Sequence, residues 1–105
     1  MVRGNWVLEN IFGAPAPPPP DDVPGLDEEG SVGALSSVRD RIMQHRQDAA
    51  CASCHDLMDP IGFAMENYDA VGRWRDRDGD TPILTHGQIP TGTKFADIGG
   101  LEAAL

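Results

Sequence analysis

The chain has 105 residues, 17 acidic against 8 basic side chains for a formal net charge of −9, and 12 glycines with 9 prolines. One domain fits that length, and a domain so small buries only about 60–65% of its unfolded surface, so a disulfide, metal or cofactor often completes the interior. The acidity excludes unaided binding to nucleic acid or anionic membranes, and no run reaches the roughly 18–20 apolar residues of a membrane span.

At the start, Met1, Val2 and Arg3 are not followed by the apolar core of a signal peptide. A protein working outside the cytoplasm would therefore carry this sequence as a piece of a longer precursor. Residues 1–13 read as a short N-terminal helix. Val7 with Ile11 and Leu8 with Phe12 stand at i,i+4, and Gly13 and Pro15 end it. Trp6 is expected to dock that helix onto the core or a neighbouring domain. Residues 14–35 read as a proline-rich acidic linker. Pro17 to Pro20 favour extended polyproline II geometry, and Asp21, Asp22, Asp27, Glu28 and Glu29 follow closely. A ligand for a proline-recognition module is the weaker reading, because no basic residue flanks the prolines.

Residues 36–105 read as the compact module. A helix is expected over 36–48, capped by Ser36 or Ser37, with Leu35, Val38, Ile42 and His45 on one face. Arg39, Asp40, Arg41 and Arg46 are expected to face water. Asp59-Pro60 is expected to break the chain after the cysteine motif. Ile61, Met65 and Tyr68 then predict another short helix ending near Gly72. Residues 72–85 predict a β-hairpin with a type I′ turn at Asp78-Gly79. The glycine-rich tail reads as mostly loop, with a helix starting at Leu101. The fold class is mainly α, with one β-hairpin and an extended linker.

Cys51-Ala52-Ser53-Cys54-His55 carries the chemistry. Thioether attachment of haem needs two cysteines about one helical turn apart, followed directly by a histidine that ligates the iron. A covalent haem would also give a chain with too little core a large apolar interior. A structural zinc site would need four ligands, and the adjacent Cys54 and His55 would strain to bind one ion together. A thioredoxin-like pair would need a βαβ context, which is absent. A plain Cys51–Cys54 disulfide stays open but leaves His55 unexplained.

The surrounding run is His45-Arg46, the cysteine motif, Asp59-Pro60-Ile61-Gly62-Phe63, Glu66-Asn67-Tyr68-Asp69 and Gly72-Arg73-Trp74-Arg75. It resembles secreted, planctomycete-type cytochrome c-like domains of unknown function. The start (Arg3-Gly4, Trp6, Gly13 and the prolines) and the tail (Ile83, Gly87, Pro90, Gly92 and Phe95) resemble that family too. The resemblance implies a small cytochrome c-like helical domain around one covalent haem c, held by Cys51 and Cys54 with His55 as proximal ligand. It also implies a module of large multidomain exported proteins, periplasmic or secreted.

Electron-transfer cytochromes usually fill the distal iron site with Met or His. Met1, Met43, His45, Met58, Met65 and His86 are available. Met58 follows His55 by one turn, so on a continuous helix it lies on the proximal side and serves as pocket wall. His86 reads as surface. His45 and Met65 are the distal candidates, although capping and core packing respectively are the commoner roles for such positions. Phe63 and Trp74 are candidate haem-packing aromatics. Arg73, Arg75 and Arg77 could meet haem propionates, but the interleaved Asp76, Asp78 and Asp80 favour a self-neutralising hairpin. A calcium loop is excluded, because counting from Asp76 places Thr81 and Gly87 where glycine and glutamate are required.

The expected function is one-electron transfer by a mono-haem module inside a larger oxidoreductase-like protein. The charge of −9 predicts a redox partner with a basic surface, or a sister domain. Two alternatives stand beside it: an open-site haem acting on a small ligand such as peroxide, and a non-redox interaction module.

Overall fold

The computed structural model describes residues 2–22, 37–47 and 49–105. Four helices, α1 (Val2–Asn10), α2 (Val38–His45), α3 (Ala49–Ala64) and α4 (Ile98–Ala104), carry most of the regular structure. Two antiparallel two-strand ladders accompany them, β1 (Arg77–Asp78) with β2 (Thr81–Pro82), and β3 (Gly87–Gln88) with β4 (Lys94–Phe95). The mainly α class is therefore observed. Leu35 and Ser36, expected in the second helix, lie outside the described residues, as does residue 48.

α1 packs on α3 through Gly4, Val7 and Leu8, all buried. Trp6 is 57% exposed, so it does not dock the helix onto this core. Gly4 does so by having no side chain: a Cβ there would collide with the Met58 carbonyl and come within 2.9 Å of the Gly62 nitrogen. Gly13 (φ +63°) ends the helical segment as expected, and the Ala14 N–H reaches back to the Leu8 carbonyl at 2.9 Å. Ser37 caps α2 in a reciprocal capping box with Asp40. Arg39, Arg41 and Arg46 are half-buried rather than water-facing. Arg39 donates to the Leu84 carbonyl at 2.7 Å and lies 4.5 Å over the Phe63 ring.

The expected break at Asp59-Pro60 does not occur. α3 runs unbroken through Pro60 to Ala64. A proline in a helix interior costs about 3 kcal/mol, whereas full burial of an isoleucine and a phenylalanine contributes roughly 1.5–3 kcal/mol each. Ile61 (0% exposed) and Phe63 (3%) follow directly, and the continued helix is what buries them. The helix expected over Ile61–Gly72 is thus the end of α3 followed by turns. Arg3 closes those turns, donating to the carbonyls of Met65, Tyr68 and Asp69, each at 2.7 Å.

The first hairpin is present, but its register places Gly79-Asp80, not Asp78-Gly79, at the turn. Of that pair only Gly79 has positive φ (+60°), so the type I′ geometry, which needs two, is not adopted. The tail is more ordered than expected. Ile89, Phe95 and Leu101 join Val7, Leu8, Ile61 and Ala64 in one buried cluster, and this burial organises the second ladder and α4.

Candidate functional site

At about 100° per residue, helix positions i, i+3, i+4 and i+7 fall on one stripe. On α3 that stripe is Cys51, Cys54, His55 and Met58, and all four line one cavity of about 420 Å³. Its other walls come from Val2 and Asn5 of α1, from residues 16–20, and from His45 at the end of α2. Pro17 to Pro20, expected to act as spacer, therefore contribute an apolar wall. Cys51 and Cys54 are free thiols and half-buried.

The His55 ring is anchored from behind. Asp59, one turn further along α3 and 0% exposed, faces His55 Nδ1 with carboxylate oxygens at 3.0 and 3.1 Å. A carboxylate can only accept here, so Nδ1 carries the proton and Nε2 keeps the lone pair that a metal would need. A buried carboxylate requires compensation; Arg46 Nε lies 3.9 Å from Asp59 Oδ2, while its Nη2 pairs with Asp56. The His45 ring stands 5.5 Å from that of His55, at 71°. Asn5 Oδ1 is buried with no hydrogen-bond partner among the described residues, a state costing about 1–3 kcal/mol.

These residues fit a haem. Two thiols one turn apart would hold it, a histidine in the right tautomer would ligate its iron, and the apolar wall together with an orphaned polar atom suits a flat, largely apolar group. When bound, haem supplies a one-electron couple. The protein's share would be to fix the thiols and the ring, wall off water with α1 and the prolines, and keep the Nδ1–H directed at Asp59.

The cavity thus brings together Cys51, Cys54, His55 and His45. Met65 packs against the core cluster and is not in the cavity lining. Phe63 lies beneath Arg39 and lines a second cavity of about 380 Å³, with Met43, Arg46, His86 and Lys94. Trp74 is 58% exposed and meets Tyr68 edge-on at 5.3 Å. Arg75 pairs with Glu66 at 3.0 Å and stands 3.6 Å from Asp78. Sequence reasoning misses Asp59 and Asn5. The i+4 spacing from His55 to Asp59 is the available signal, and reading Asp59-Pro60 as a break conceals it.

The model of the PSCyt3 family, proteins of unknown function (DUF1588), matches residues 1–78. The chain belongs to this family. The PSCyt3 name fits a planctomycete cytochrome c-like domain. The match covers α1, α2, α3 and β1, and so every described residue lining the cavity. The tail residues Ile83 to Phe95 that also resemble the family lie beyond it. No curated protein and no solved structure matches the chain.

Proposed function

We propose that this PSCyt3 chain is a mono-haem c-type module that passes single electrons within a larger exported oxidoreductase-like protein. Cys51 and Cys54 form the thioethers, and His55 is the proximal iron ligand. One observation carries the reading: both thiols and a histidine whose Nδ1 is held by a buried carboxylate line the same mainly apolar cavity. Covalent attachment would take place outside the cytoplasm, in the periplasm or on secretion. With a net charge of −9, the partner would present a basic surface or be a sister domain of the same polypeptide. Co-expression with a cytochrome-maturation system, a denaturing gel and a haem stain test this. Stain migrating with the chain is expected, and its absence overturns the proposal.

One observation favours the catalytic alternative. Among the described cavity-lining residues, His45 is the one Met or His that does not belong to α3. If His45 does not ligate, the distal position is open to a small ligand such as peroxide. Cyanide or carbon monoxide shifting the Soret band readily would select the open site, and an unmoved band would select six-coordinate electron transfer.

A further inference from the structure

We infer that Asp59 is the positioning residue that sets the donor strength of His55, and through it the reduction potential of the bound haem iron. This rests on the proposed haem site and adds to it a residue outside the cysteine–histidine motif. Asp59 is fully buried on the side of His55 away from the ligating nitrogen, and both carboxylate oxygens lie within 3.1 Å of Nδ1. The contact fixes the ring tautomer and its orientation. It also makes Nε2 a stronger donor, because negative charge on the acceptor draws the Nδ1 proton away from the ring. A stronger donor stabilises ferric over ferrous iron, so the module would work at a lower potential than one whose histidine donates to a neutral group. Arg46, at 3.9 Å from Asp59, moderates this by partly neutralising the carboxylate.

The test compares haem-loaded wild type with Asp59→Asn and with Asp56→Asn as charge control. Asp56 is removed from His55 contact, 59% exposed at its side chain and paired with Arg46, so it changes the local charge equally without touching the ring. Asp59→Asn is expected to raise the ferrous-to-ferric ratio at fixed potential at least tenfold, a positive midpoint shift of about 59 mV or more for one electron. Where the ferrous iron is five-coordinate, it should also lower the iron–histidine stretching frequency in resonance Raman spectra. Asp56→Asn is expected to move the midpoint much less and to leave the stretch in place. Equal effects from both variants, or none from Asp59→Asn, overturn the inference while the haem site stands. A wild type without covalent haem overturns the proposed function and this inference with it. Should Asp59→Asn fail to retain haem, ¹⁵N shifts of the His55 ring in haem-free wild type decide between the tautomers. The Nδ1–H tautomer is expected, and a dominant Nε2–H tautomer overturns the inference.

Discussion

Two cavities of similar size share α2 as a wall. One, of about 420 Å³, holds Cys51, Cys54 and His55; the other, of about 380 Å³, holds Arg39, Arg46 and Lys94. Volume does not separate them, but the state of their polar groups does. In the second, Arg39 is committed to the Leu84 and His86 carbonyls and to the Phe63 ring, and Arg46 to Asp56 and Asp59. Burial makes the Arg39 guanidinium easier to deprotonate, and nearby Arg46 adds to this against the opposing pull of Asp40. In the first, two thiols are free and Asn5 Oδ1 is buried without a partner among the described residues. Two arginines already committed to carbonyls, carboxylates and a ring behave as packing groups. A cavity that holds two thiols outside any disulfide and a buried acceptor without a partner among the described residues is prepared for something to enter it.

Substitutions can break that contrast. Replacing Cys51 and Cys54 together with alanine is expected to abolish covalent haem on a denaturing gel, whereas Arg39→Met should leave the stain unchanged. Gly4→Ala forces α1 off α3 and should destabilise by about 1–3 kcal/mol in urea unfolding. The same variant should raise the alkylation rate of Cys51 and Cys54, since the wall facing them is displaced. Asn5→Leu removes the orphaned acceptor, so the haem-free chain is expected to gain about 1 kcal/mol. The gain should shrink or vanish in the loaded protein if haem gives Asn5 a partner. Arg39→Met should cost about 1 kcal/mol through its carbonyl and ring contacts, with no effect on any haem readout.

The smallest effect lies outside both cavities. Backbone N–H groups of Arg73 and Val71 donate to Asp69 and hold its carboxyl below the ordinary value of 3.8. A depressed carboxyl contributes stability above its unfolded value and loses it as pH falls through the lower, folded one. Asp69→Asn should therefore lower stability slightly at neutral pH and flatten the acid limb of the unfolding curve below about pH 4.

The parts of the site legible in the sequence are those encoded by adjacent residues. Cys51 to His55 states its chemistry in five positions, and Ser37 with Asp40 states a helix start in four. Contacts whose energy comes from elsewhere are not legible. Pro60 reads locally as a stop, and only the burial of Ile61 and Phe63 against other segments overrides it. Asp59 therefore looks like the end of a helix instead of the partner of His55. Trp6 looks like an anchor because glycine gives no periodic signal; Gly4, Val7 and Leu8 define the buried face, and Trp6 falls off it. The β3–β4 ladder is hidden because Gly87, Gln88 and Lys94 have little strand preference. Gly92 at φ +97°, the Ile89-to-Thr93 backbone bond and the burial of Ile89 and Phe95 make it.

The contacts that seat α1 also bear on the order of assembly. Arg3 reaches carbonyls 62 to 66 residues away, so its bonds close very long loops. The cysteine stripe, by contrast, depends on one helix closing on itself. Distant contacts form later than local ones. The thiols are therefore expected to stand on a formed α3 while the opposite wall is still absent, which would leave both sulfurs accessible for the proposed haem attachment. The close approach at Gly4 then brings Val2 and Asn5 into the cavity wall, so the proposed haem attachment would come before the docking of α1.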